Sequence, residues 1–390
     1  MQTDKSTDMI KMTIRISAAL LLAAMIFSCG GSGGRTTDGE SVGMRYARYL
    51  SISDCGSYTV ADITNPWDTA RLLHRYILVP QDSPLPQDIP QGTLVRTPID
   101  RIIVYSSVHA SIIDALGASD RIAGVCEPEY MTCRAVLDGV AEGRITDCGS
   151  SVSPSIERIA GAGGQVIIAS PFQNGSYGAA GKLGIPIIEA ADYMENDPLG
   201  RTEWIRLFGL LLDCPDRADS LFRAAETGYN SIRDSVAGHI RDNGAHRPTL
   251  LAERKYGASW DVPGGASYMV RIYTDAGADY IFSGTTTSAN VNMSFENVLR
   301  EGIDADIWVL KYWSPQPMTY SSLEAEYSLY SRFNAFQNRQ VYGCNTYSST
   351  YYDDIVLHPS WILEDLAAVF HPDLFPGHEP RYFKPLQDNT

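Results

Sequence analysis

Hydroxyl and aromatic side chains gather in short segments that follow apolar runs of this chain. Ser106-Ser107-Val108-His109 follows Ile102-Ile-Val-Tyr105, and Ser170-Pro-Phe172 follows Val166-Ile-Ile-Ala169. Glu253 to Trp260 follows Thr249-Leu-Leu-Ala252, Lys311-Tyr-Trp-Ser314 follows the run at Ile307, and Thr346 to Tyr352 follows Gln340-Val-Tyr342. This is chemistry for holding a molecule rather than breaking one. Phe172, Tyr256, Trp260, Tyr312, Trp313, Tyr347 and Tyr351 offer apolar area with polar tips, suited to a broad pocket, and Ser107 adds a hydroxyl. Arg254 and Lys255 could meet anionic groups or form a solvated rim, and His109 could ligate a metal or cap the helix beside it.

Catalytic signatures are poor by comparison. Gly30-Gly-Ser-Gly-Gly34 matches the spacing of a nucleophile elbow but lies in a small-residue linker, not at a strand-to-helix turn. Gly161-Ala-Gly-Gly-Gln-Val166 lacks the third glycine of a dinucleotide loop and precedes its strand. There is no phosphate-loop signature and no HExxH. Neither CxxC nor a paired His-Cys motif occurs, which makes zinc ligation the weaker use of the cysteines. Disulfides are the stronger one, with Cys126 to Cys133 or Cys148 the nearest candidates.

One pattern occurs twice. Ser155-Ile-Glu157-Arg-Ile159 precedes the strand Val166–Ala169, and Ser294-Phe-Glu296-Asn-Val298 precedes the strand at Ile307. The surrounding elements also repeat in order, so two similarly built α/β lobes are predicted. Each glutamate lies in a first helical turn, where the macrodipole alone would stabilise it by about 0.3–1 kcal/mol.

The elements that must place these residues are legible from periodicity. Alternating strands and helices predict a parallel sheet in each lobe, over residues 99–214 and 244–376. Between them, Phe222, Ala225, Tyr229, Ile232, Val236 and Ile240 recur at helical spacing behind Pro215, predicting one long helix over 215–243. Residues 45–98, broken by prolines, read as a β-rich extension, and 377–390 as a polar tail. The fold class is therefore α/β: two Rossmann-like lobes joined by one long α-helix, with an N-terminal β-rich extension.

Lys11 and Arg15 precede the apolar run Ile16–Phe27, the length of a secretory signal over residues 1–28. It ends at Ser28-Cys29-Gly30, which looks like a bacterial lipobox despite the bulky Phe27. Cys29 is then the expected lipidation site, followed by a flexible linker over 29–44. The chain carries 31 Lys and Arg against 46 Asp and Glu, net −15, which argues against nucleic acid and against an anionic lipid surface as main partner.

Two lobes joined by one long helix, on an exported chain, resemble the substrate-binding proteins of metal-chelate ABC importers, of the helical-backbone type. The likeness spans roughly residues 100–372 and is most specific at the two Ser-apolar-Glu blocks. It implies that the protein is not an enzyme and holds no covalent cofactor. It also implies capture of an iron complex or corrinoid (ferric siderophore, haem or cobalamin) between the lobes, with His109 or a tyrosine as a possible axial donor. Glu157 and Glu296 would dock ABC permease subunits. A periplasmic monomer touching the membrane only through its lipid is expected. A permease-independent scavenger at the cell surface, or less readily an exported α/β enzyme, is the alternative.

Overall fold

The computed structural model describes residues 39–388. The signal-like segment and Cys29 lie outside the described residues. Three five-stranded sheets carry the fold. The first is built from β1 (Glu40–Val42), β2 (Leu50–Asp54), β3 (Thr59–Thr64), β4 (Leu72–Pro80) and β5 (Thr93–Thr97), paired in sequence order and antiparallel until β4 and β5, which run parallel. The predicted linker thus ends early, because Glu40–Val42 already pairs with β2.

The N-lobe sheet comprises β6 (Ile102–Val104), β7 (Ile122–Val125), β8 (Thr146–Asp147), β9 (Val166–Ala169) and β10 (Ile187–Glu189), all parallel, in the order β10-β9-β6-β7-β8. Every residue of β6, β7 and β9 is buried, as expected of parallel strands covered on both faces. In the C-lobe, β11 (Thr249–Ala252), β14 (Asp279–Tyr280), β16 (Ile307–Tyr312) and β17 (Val341–Asn345) are parallel, in the order β14-β11-β16-β17. Each lobe therefore begins with an inner strand, β6 or β11, with the next strand of that sheet in sequence on one side of it and the strand that follows the Ser-apolar-Glu block, β9 or β16, on the other. A small antiparallel sheet of β12 (Lys255–Tyr256), β13 (Ser259–Val262) and β15 (Val291–Met293) is added to the C-lobe.

The segment expected to be a polar tail instead supplies β18 (Phe383–Pro385), antiparallel to β17. Asp365, fully buried, accepts the backbone N–H groups of Arg381, Tyr382 and Phe383 and so holds that return. Between β9 and β10 the chain makes only a single short turn of helix, Ala180–Lys182.

The linking helix runs Pro215–Asn243, with proline in its first turn and Gly244 stopping it at φ 61°. At 1.5 Å per residue it is about 44 Å long. Phe222, Ala225, Tyr229 and Val236 are buried along it, and it packs against the helices Ile205–Leu211 and Pro359–Phe370. One hydrophobic core runs from Tyr49 in the extension through both lobes to Leu386. The lobes are welded along this seam rather than hung from a single rod.

Two buried carboxylates clasp the extension. Glu203 accepts N–H bonds from Arg45, Tyr46 and Ala47 at 2.8–3.0 Å, and Glu195 accepts those of Arg48 and Tyr49. Farther along, the Tyr76 hydroxyl donates to the Ile187 carbonyl and accepts from the Glu189 N–H, fastening the extension to the edge strand β10. The described cysteines are all free; Cys133 packs in a different cluster from Cys126, whereas Cys126 and Cys148 share one without being bonded.

Candidate ligand cleft

In an open α/β sheet the crevice opens where strand order reverses, at the carboxyl ends of the strands. In the N-lobe that point lies beyond β6 and β9, and a cavity of about 710 Å³ is found there, lined by Tyr105, Ser106, Ser107, Ser170 and Phe172 among others. Glu127, whose backbone turns through φ 52°, and Tyr130 line its mouth. Phe172 sits over Gly175, where an added Cβ would lie 2.3 Å from the ring, so a larger residue there would have to displace that exposed aromatic. The Tyr105 hydroxyl at the end of β6 is buried without a hydrogen-bond partner, and burial raises its pKa.

The corresponding point of the C-lobe holds an ion pair between Glu253, at φ 65° after β11, and Lys311 on β16. Burial would lower the Lys311 pKa, but the adjacent Glu253 carboxylate outweighs it and keeps the ammonium charged. Beyond it stand Trp313 and Tyr347, each more than half exposed, with ring centres 5.0 Å apart. Tyr130 of the N-lobe meets Trp313 edge-on at 6.3 Å, so aromatics of both lobes touch across the cleft. The lobes also meet where the helix Tyr351–Leu357 packs on the helix Ser107–Ala115, with Thr132 donating to Asp353.

Of the residues singled out from the sequence, Ser107 and Phe172 line the cavity, while Trp313 meets the lining residue Tyr130 edge-on and Tyr347 packs against Trp313. Tyr256 is 82% exposed at the tip of the β12–β13 hairpin. Tyr312 is mostly buried, its hydroxyl accepting the Met318 N–H, and lines a separate cavity of about 300 Å³. Arg254 is committed to Glu326 at 2.6 Å.

Three assignments are corrected by burial. Trp260 is fully buried among Phe295, Trp308, Tyr330 and Phe333, its indole N–H donating to the Ala252 carbonyl. Tyr351 is buried with its hydroxyl against the Met269 sulfur. His109 is 1% exposed and pairs through Nε2 with Asp192, which also receives Arg201. Burial would raise the Asp192 pKa, but Arg201 and the His109 bond hold it below the usual carboxylate value. These three side chains pack the core and cannot reach a ligand in this arrangement. Tyr105, Glu127, Tyr130 and Tyr177 line the cavity as well.

Glu157 and Glu296 are both exposed, in the first turns of the helices Ile156–Ala162 and Phe295–Gly302. Ser155 and Ser294 cap these helices through the N–H groups of Arg158 and Asn297. Neither glutamate forms an ion pair among the described residues. Both helices start at the ends of the lobes where the cleft opens, since each runs back to the beginning of a parallel strand.

The chain is 26% identical over 335 residues to an uncharacterized lipoprotein of Methanocaldococcus jannaschii, covering 81% of this chain and 77% of that relative. Its fold is similar to a periplasmic heme binding protein from Pseudomonas aeruginosa, with TM-score 0.58 and 14% identity over 75% of this chain and 99% of that one. It is also similar to the Helicobacter pylori CeuE protein solved with nickel and histidine, with TM-score 0.55 and 17% identity over 73% and 87%. A third similar structure is the Fe3+-Desferal-bound siderophore binding protein FhuD of Vibrio cholerae, with TM-score 0.51 and 15% identity over 69% and 98%. At such identities the likeness is one of fold, two lobes about a shared cleft. Residues 102–347, from the first strand of the N-lobe to the Tyr347 loop, match the periplasmic binding protein family, and the chain belongs to it.

Proposed function

We propose that this protein captures a metal chelate, a ferric siderophore, haem or a corrinoid, in the cleft between its lobes and hands it to an ABC permease. The observation that carries this reading is the cavity of about 710 Å³ at the N-lobe switch point, whose lining residue Tyr130 meets Trp313 of the other lobe edge-on. Its lining offers aromatic faces and hydroxyls. No group of three metal-ligating side chains occurs among the described residues, so a metal would arrive with its own donors. The chelates named for the similar structures point the same way. Thermal shifts and visible spectra with haemin, cyanocobalamin and a panel of ferric siderophores test it. A ligand at 100 times its Kd should add about 2.7 kcal/mol of stability, and no shift with any member would refute the reading.

Docking is assigned to Glu157 and Glu296, whose exposed carboxylates on separate lobes can orient the loaded protein on a permease. Reversing both charges should abolish uptake while leaving ligand affinity intact; unchanged uptake would refute this. Lipidation at Cys29 completes the reading, supported by relatives named as lipoproteins. A scavenger that works without a permease would be insensitive to the same double substitution.

A further inference from the structure

We propose that the cleft selects chelates that are neutral or cationic and present amide or hydroxamate oxygens, and discriminates against polyanionic chelates such as tricatecholates and haem. This rests on the chelate-binding reading above. Among the described residues, Glu127 is the only charged side chain lining the cavity. Its Oε1 is held by the Ser150 hydroxyl at 3.1 Å and the Ser151 N–H at 3.2 Å, which keeps an anion at the mouth. Most of the remaining polar lining is hydroxyl, Ser106, Ser107, Ser170 and Tyr177 among it, and the Tyr105 hydroxyl is buried without a partner. Burial keeps that phenol protonated, so it can donate to a carbonyl or hydroxamate oxygen.

Two of the three cations on the facing loops are already paired, Lys311 with Glu253 and Arg254 with Glu326. Lys255 keeps its charge, but its ammonium is held by the Gly257 carbonyl on the β12–β13 hairpin and does not line the cavity. A polyanion entering here would lose water without gaining a countercharge, and would meet Glu127 and the field of a chain with net charge −15. A cation meets an attractive carboxylate, and a neutral chelate loses little on entry.

The test is titration of the intact protein, by tryptophan fluorescence quenching at low salt, with ferrioxamine B as cation, ferrichrome as neutral chelate, ferric enterobactin as trianion, haemin, and cyanocobalamin. We expect the tightest neutral or cationic member to bind at least about tenfold tighter than ferric enterobactin and haemin, a difference of about 1.4 kcal/mol. Glu127→Gln should weaken the cation several-fold while leaving the neutral chelate unchanged, and Glu127→Lys should move the ranking toward the anions. Tighter binding of haemin or the tricatecholate by the unaltered protein would overturn the selectivity alone. Failure of every chelate to bind would overturn the chelate-binding reading and the selectivity with it.

Discussion

Asp353 stands at the seam of the two lobes, 5% exposed, with its Oδ2 accepting from Thr132 and its Oδ1 lacking a hydrogen-bond partner. Burial pushes its pKa from the ordinary 3.8 up to about 6, against the opposing help of the Ser107 and Ser111 hydroxyls on the facing helix. A carboxyl whose pKa is raised by folding stabilises the native state only while it stays protonated. Below about pH 4 both folded and unfolded chains are protonated there and no penalty exists. Between about pH 4 and about pH 6 the unfolded chain ionises first, and native stability falls. Above about pH 6 the loss is complete, at about 3 kcal/mol from 1.36 kcal/mol per pKa unit. Asp353→Asn keeps the shape and removes the charge. Urea unfolding of both proteins across this range should show the variant gaining on the parent as pH rises, by up to about 3 kcal/mol, with a plateau above about pH 6. Taking the difference cancels Glu195, which burial also raises to about 6. A difference that stays flat with pH, or falls, would refute the placement of an uncompensated carboxyl at this seam.

The clasp on the extension makes a second demand. Glu203→Ala strands three backbone N–H groups and removes a partner of Arg206, so stability should drop by about 3–5 kcal/mol. Amide exchange at Arg45–Ala47 should accelerate with it, and a loss under about 1 kcal/mol would show the extension is held mainly by its apolar contacts. Because one core crosses both lobes alongside the long helix, closure on ligand binding should be small. Solution scattering with and without ligand should then nearly superimpose, and a marked fall in radius of gyration would contradict it.

Much of the scaffold was readable because its signals are local. The stripe from Phe222 to Val236 needs only helical periodicity, and the runs at Val166 and Ile307 need only continuous apolar residues. Which aromatics face a ligand was harder. Trp260 and Trp313 are alike as residues, yet one is fully buried and the other 57% exposed. Some of this was recoverable: Asp261 between Trp260 and Val262 marks an alternation that turns the indole inward, as β13 shows. Likewise His109 shares a helical face with Ile112 and Ile113, which are buried beside it. The short strands β1 and β18 carry too few residues for any period to register.

By itself the sequence determined the two-lobe repeat, the linking helix and the capped glutamates, since each depends on residues within a turn or two of one another. Only the tertiary structure decided which carboxylates are clasps, which cations are already neutralised and which hydroxyl is left without a partner. Glu203 meets Arg45 across 158 residues, Arg254 meets Glu326 across 72, and the Tyr105 hydroxyl is buried with no hydrogen-bond partner. Such pairings are set by how sheets and helices stack, which no local pattern encodes, and the charge of the cleft is their sum.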